Sequence, residues 1–423
     1  MTRAAVAKAE MHPEHKPNDN VPRGSGVPMS QTVLVAPESE KGSGSGLPVV
    51  KAMEGGIEII DGLAEEWRQL CLEGPSDQPF YRPEWIAANV RAFAPKAKLL
   101  VVTARVDGRL RAVLPLIYER TLFCGLPVRR LRGAASWGSL RFDLIRGCGE
   151  EGDSATLAIW EYLKTSKGWD VVELPDVPQG GAAEQLLGLA QKDHFAVGRW
   201  ESKRSAYMLL TGLGDGKNPW LSCTSAKFRQ NMRYQLRKAE AKGPLRLIRL
   251  EGATPDALAR FYDLEASGWK GREGTAIACK PRNRRFFDEV AQVAGRFGYL
   301  CLHFLEAGGD TLAASFGLVY GSKYFALKWA YNESYDKCGP GHLLINAIIG
   351  DCVQRQLTEF DFMGERFEYE TKWTSEVRSH SYLYVFRSSL YGRVLHAVKF
   401  SIVPSLKKMV ARETRVKAPS KVV

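Results

Sequence analysis

The chain has 423 residues, of which 45% are hydrophobic and 25% charged, with a formal net charge of +12. That length exceeds what one core usually fills, so two domains are expected, and the lack of an uncharged apolar run near ~20 residues excludes a spanning helix. The positive excess favours anionic partners and does not choose among CoA, acidic lipid, acidic polysaccharide and nucleic acid.

The N-terminal stretch MTRAAVAKAEMHPEHKPNDN has charges and prolines where a secretory signal needs an apolar run of about 7 to 15 residues, so a cytoplasmic location is expected. Residues 1–50 are rich in Pro, Gly, Ser and charge, and are read as an arm without structure of its own. Eight cysteines are scattered without a C-x-x-C pair, which predicts reduced and mostly buried thiols and no metal site.

From Ile57 the pattern turns globular. A strand GIEII is expected before the helices LAEEWRQLCLE and RPEWIAANVRAF. The strands KLLVVTARV and RLRAVLPLIYER follow, joined at Asp107-Gly108, a hairpin signal because both residues tolerate positive φ. A helix at SATLAIWEYLKT, a strand WDVVELP, a helix at AAEQLLGLAQ and strands through AYMLL complete the first half.

SAKFRQNMRYQLRKAEAKG then places Arg229, Arg233 and Arg237 on one helical face. The second half repeats the earlier order: LRLIRL, helices DALARFYDLEASGW and NRRFFDEVAQVAGRF, strands YLCLHFLEA, TLAASFGLVY and KYFALKWAYN, a helix from about Gly341 to Gln356, then EFDFM and HSYLYVF. This duplicated order predicts two α/β units with mixed sheets. The units expected are 51–215 and 216–388, followed at 389–423 by a basic amphipathic helix interrupted by Pro404 and a tail.

The stretch KYFALKWAYNESYDKCGPGHLLINAIIG joins a strand to a helix through Gly339-Pro340-Gly341. Unpaired N–H groups and the positive dipole end make a helix start an anion site, and glycines let a diphosphate come close. A tight turn with no ligand explains the same residues.

Four blocks, FRQNMRYQLRKAEAKG, LEASGWKGREGTAIA, YNESYDKCGPGHLLINAII and EFDFMGERFEYETKW, resemble the GNAT superfamily, more closely its CelD/BcsL branch of polysaccharide-associated acetyltransferases, related to the FemAB proteins. The resemblance covers roughly 222 to 386 and implies tandem GNAT-like domains with acyl-CoA, such as acetyl-CoA, as donor. Its diphosphate would sit at Lys337, Gly339, Gly341, His342 and Leu343. Asp336 stands where the usual loop has Gln or Arg, which leaves side-chain charge to Lys337.

Glu265 is a candidate general base or a surface carboxylate. Trp269, with Lys270 beside it, is a sugar platform or a core residue. Asp361 alternates with Phe360 and Phe362 and is a second base candidate if its face borders a pocket. Tyr369, Lys372 and Trp373 resemble the family's residues after this strand, with Lys372 stabilising an oxyanion, binding an acidic acceptor, or simply exposed.

The expected activity is acyl transfer to a hydroxyl or amine of a sugar or envelope precursor. Two alternatives are a FemAB-like transferase using aminoacyl-tRNA and a non-catalytic scaffold on an anionic membrane or polymer. The missing helical hairpin argues against nucleic acid, and the C-terminal helix suggests peripheral contact with the inner membrane.

Overall fold

Asp107 and Gly108 both take positive φ, at 50° and 77°, and so close the expected hairpin. They belong to a computed structural model that describes residues 32–35, 46–75, 77–213, 218–365 and 368–405. Most of the expected arm, the boundary at 215–216 and the tail beyond 405 lie outside these residues.

Within the expected arm, Thr32–Val35 (β1) pairs antiparallel with Val49–Gly55 (β2). The strand expected at GIEII is displaced to β2. The Gly56 N–H donates to Glu58 Oε1 at 2.7 Å, so the chain turns there and Glu58–Glu73 winds into α1. Helix α1 buries Ile60, Leu63, Trp67 and Leu70, a spacing that puts them on one face. Pro83, whose missing N–H is no loss at a helix start, opens α2 (Pro83–Phe93).

The first repeat continues through β3 (Lys98–Val106), β4 (Arg109–Phe123), β5 (Leu126–Gly133), β6 (Ile145–Arg146), α3 (Gly149–Thr165), β7 (Val171–Pro178), α4 (Ala183–Lys192) and β8 (Ala196–Leu209). The sequence reading lacks β5, because LPVRRLRG looks like exposed polar chain. The neighbouring strands supply the counter-charges: Glu119 of β4 takes Arg130 Nε at 2.9 Å and Arg132 Nη2 at 3.0 Å, and Glu173 of β7 takes Arg130 Nη1 at 3.0 Å. Paired in this way, the arginines can lie within the sheet.

The second repeat comprises α5 (Ala226–Glu240), β9 (Arg246–Leu250), α6 (Pro255–Ser267), the single turn α7 (Trp269–Arg272), α8 (Pro281–Arg296), β10 (Leu300–Ala307), β11 (Asp310–Tyr320), β12 (Lys323–Tyr331), α9 (Pro340–Gln354), β13 (Glu359–Asp361) and β14 (Val377–Phe386). The helices start where local chemistry satisfies their ends: Ser225 caps the Phe228 N–H of α5 and Thr254 caps the Ala257 N–H of α6.

Among the described residues all strands join one 14-stranded sheet in the order β1-β2-β3-β4-β5-β7-β14-β8-β13-β12-β11-β10-β9, with β6 paired to β4. The last strand in sequence, β14, lies between β7 and β8, with Phe386 opposite Val171 on one side and Ala196 on the other. On one face, α1, α2, α6 and α8 of both repeats share a single core. There Trp85 of α2 meets Phe286 of α8 edge to face at 5.3 Å, and Arg91 pairs with Glu289 at 2.5 Å. Each such fully buried large side chain contributes about 1.5–3 kcal/mol. The opposite face carries α3 and α4 on the first repeat and α5 and α9 on the second.

Helix α10 (Leu390–Ala397) passes into a wider turn, Val398–Ile402, and runs on through Pro404 where an interruption was expected. The wide turn lies just ahead of Pro404, whose ring lacks an N–H and crowds the carbonyl four residues back. Among the described residues no helix is long and apolar enough to cross a membrane.

Candidate active site

Strands β12 and β13 run parallel but pair only through Lys323–Glu359, Tyr324–Phe360 and Phe325–Asp361. Beyond Phe325, β12 goes on to Tyr331 paired to β11 alone. Leu327 is unopposed there, because Ala326 faces Gly317 and Lys328 faces Phe316. Such a bulge bends its strand. Strand β13 turns the other way, with the Phe362 N–H donating to Ala206 at 3.0 Å and Met363 and Gly364 both at positive φ. The two strands therefore part, and the chain leaving β12 runs through Glu333–Cys338 to the start of α9.

At that start, Gly339 has φ 61° and donates its N–H to Asp336 O at 3.0 Å, while the His342 and Leu343 N–H groups donate to Gly339 O at 3.1 and 3.2 Å. The Gly341 N–H has no backbone acceptor among the described residues outside the helix. A Cβ on Gly341 would meet nothing within 4 Å, whereas one on Gly339 would lie 2.2 Å from Gln235 Nε2. The open side of the expected anion site is thus at Gly341, and Gln235 of α5 covers Gly339. Lys337 is exposed beside it, and Leu343 is buried in the core.

Near the end of β12, Glu265, Gly268, Trp269, Lys270, Trp329 and Tyr331 surround a cavity of about 20 Å³, enough for one water. Glu265 is 3% exposed. Its Oε2 accepts the Ile277 N–H at 2.8 Å and its Oε1 faces Lys270 Nζ at 3.5 Å, which also donates to Trp329 O at 3.1 Å. Each carboxylate oxygen has two lone pairs, so Glu265 keeps acceptor capacity toward the cavity. The half-buried Trp269 gives its backbone N–H to Glu333 Oε1 at 2.9 Å.

His342, Tyr369 and Trp373 gather on the α9 side with Phe228 of α5. Trp373 Nε1 donates to His342 Nδ1 at 3.2 Å, and Phe228 meets both rings edge to face. Burial, and then the nearby Lys372 charge, push the His342 pKa down to about 4. Trp373, expected to line an acceptor site, is fully buried, and Lys372 is exposed.

Asp361 is brought to neither group. Its side chain does face away from Phe360 and Phe362, but into the junction of the repeats, where Oδ2 receives Arg141 and Arg378 and Oδ1 takes the Met363 N–H at 2.9 Å. Sequence reasoning missed Arg141, Phe228 and Gln235. The last two had a signal: Phe228, Met232, Gln235 and Ala239 recur at helical spacing on the inward side of α5.

Residues 226–371 match the family model described as an acetyltransferase (GNAT) domain. Among solved structures, FemX is 11% identical, with 78% of this chain and 98% of FemX covered at a TM-score of 0.53. A conserved protein of unknown function from Bacteroides thetaiotaomicron is 12% identical, with 77% and 97% covered at a TM-score of 0.50. No curated protein matches the chain. The protein thus has a tandem GNAT-like fold, and its second repeat holds the segment that matches the acetyltransferase model.

Proposed function

We propose that the second repeat transfers an acyl group from acyl-CoA to a hydroxyl or amine of a sugar or cell-envelope precursor. The observation that carries this reading is the parting of β12 and β13 beyond Phe325, with the opening of α9 at Gly341 on the same side. The residues fit a diphosphate there in part: the helix start, the unobstructed Gly341 and the exposed Lys337 suit an anion, while Gln235 limits the approach at Gly339.

When bound, the donor supplies a thioester. The chain's own groups hold it and move the proton. Backbone N–H groups of β12 beyond the Leu327 bulge orient the acyl carbonyl, and Glu265 takes the acceptor's proton across the water-sized cavity, with Lys270 fixing the carboxylate. Trp269 and Tyr369 border the acceptor, and exposed Lys372 suits an acidic one. Placement of the reactants supplies much of the acceleration. On α10, exposed Leu390, Tyr391 and Val394 beside Arg393 support contact with an anionic membrane surface from the cytoplasmic side.

A second reading, with aminoacyl-tRNA as donor, is favoured by Arg233 and Arg237, which are exposed on α5 next to the α9 loop. Arg229 is held back by Thr224 O and Leu221 O. Thermal unfolding of the full chain with CoA, acetyl-CoA, longer acyl-CoAs and aminoacyl-tRNA separates the two. A ligand at 100 times its Kd stabilises by about 2.7 kcal/mol. Protection by a CoA species is expected, and protection by aminoacyl-tRNA alone overturns the acyl-CoA reading.

A further inference from the structure

The two repeats use the link from the third strand to the next helix differently. In the second repeat it leaves β12 and runs through Glu333–Cys338 to the open helix start at Gly341. In the first repeat the matching link is the longer stretch between Gly133, which ends β5, and Gly149, which starts α3. The place that corresponds to the donor opening is filled there from within. A Cβ on Gly133 would lie 2.7 Å from Phe142 Cε1 and 2.9 Å from Pro175 Cδ of β7, and Phe142 is buried. The residue before it, Arg141, reaches out of its own repeat.

Arg141 ends at the fork of β12 and β13. Phe325 and Asp361 are the last residues that pair across that fork, and Arg141 meets both. Its guanidinium lies over the Phe325 ring at 5.7 Å and the Phe80 ring at 5.6 Å, and Nη2 donates to Asp361 Oδ2. Gln78 Oε1 accepts its Nη1 at 2.8 Å. The same carboxylate turns β13 away from β12, because Oδ1 accepts the N–H of Met363, which sits at φ 58°. One residue of the first repeat is therefore pressed against both lips of an opening that belongs to the second.

The chain is bent to put it there. Leu140 holds φ 58°, a backbone conformation that a Cβ disfavours, and its carbonyl accepts Lys203 Nζ. Such strain persists only where the surrounding contacts over-determine it. Arg141 and Asp361 are 2% and 0% exposed, so neither meets a ligand. Any effect they have on the site passes through the strands.

We propose that Arg141 is a positioning residue for the donor opening: held between the Phe325 ring and Asp361, it fixes how far β12 and β13 stand apart and so how the acyl end of the donor is seated. The proposal rests on the acyl-CoA reading. It gives the first repeat a part in a site that the second repeat does not complete alone.

Titration calorimetry of the full chain with acetyl-CoA and with ADP tests it. ADP carries the diphosphate but lacks the arm and thioester that enter between the strands, so the ratio of the two affinities reports the opening alone. In Arg141→Met that ratio should fall about tenfold through weaker acetyl-CoA binding, with ADP bound as in the wild type. Arg141→Lys keeps a cation against Asp361, and so the fold, but loses the planar face over Phe325. It should shift the ratio the same way by about threefold, and it decides the matter if Arg141→Met does not fold. A merely structural role would lower the melting temperature and leave the ratio unchanged, and that result in the folded variants overturns the proposal alone. A wild type that binds neither ligand overturns the acyl-CoA reading and this proposal with it.

Discussion

Arg141 of the first repeat and Asp361 of the second form an ion pair sealed from solvent, with side chains 2% and 0% exposed. Arg378 of β14 joins the same carboxylate at 2.7 Å and also reaches Glu359 at 3.2 Å. Removing one partner of a buried pair strands the other's charge, at about 3–5 kcal/mol. Asp361→Ala should therefore lower the urea midpoint by that equivalent. An unchanged midpoint with a lost transfer rate would instead make Asp361 a proton acceptor in the reaction.

His342 links stability to pH. Its folded pKa is depressed from 6.5 to about 4, so the unfolded chain takes the proton first, and the contribution is full above 6.5 and lost as pH falls toward 4. The loss is on the order of 3 kcal/mol. His380, pushed down to about 2 mainly by burial, acts in the same direction. Asp143 opposes them: burial raises it from 3.8 to about 6, which favours the folded state as pH drops through that window. Because these terms overlap, the measurement is the difference between wild type and His342→Gln, whose stability should fall less between pH 6.5 and 4.

Glu265→Gln keeps an acceptor for the Ile277 N–H and removes the charge beside Lys270. If the carboxylate takes the acceptor's proton, the transfer rate should drop about 10²–10⁴-fold with little change in melting temperature. A rate that falls only in proportion to the folded fraction would leave Glu265 as a tie between α6 and the Ile277 turn.

Gly339 and Gly341 should respond differently to alanine. At Gly339, φ 61° strains an alanine and the new Cβ displaces the amide end of the Gln235 side chain, and a loss of about 1–2 kcal/mol is expected. At Gly341 nothing lies within 4 Å, and alanine should stabilise by about 0.4–1 kcal/mol. The same methyl stands where a diphosphate would approach, so Gly341→Ala should weaken CoA binding in titration calorimetry while melting no earlier.

The thiols divide evenly, against the expectation that most would be buried. Cys124, Cys148, Cys223 and Cys279 are exposed, and Cys71, Cys301, Cys338 and Cys352 are buried. Burial pushes Cys71 and Cys301 up to about 12. A disulfide reagent at pH 8 should label the first four in the native protein and the rest only after denaturant is added; fast labelling of Cys71 would show its surroundings opening in solution.

Much of this fold was legible because element order is a local property. Periodicity found α1, α2, α6 and α8, and Asp107-Gly108 marked its hairpin. What escaped depends on partners distant in sequence. Arg129, Arg130 and Arg132 disguise β5 until Glu119, Glu173 and Asp170 are seen beside them. Asp361 read as a half-open strand residue because Arg141 lies 220 positions away. The glycine loop was found, but Gln235 over Gly339 follows from how α5 packs.

Strand β14 has a consequence for synthesis of the chain. β7 and β8 are made early, and each hydrogen-bonds to β14 while few contacts join them directly. On the ribosome the first repeat must wait, with a gap in its sheet, until residues 377–386 have emerged. A nascent chain stalled before that point presents two raw strand edges to any passing β-segment. Chaperone demand should accordingly peak late in translation and end when the final strand slots in.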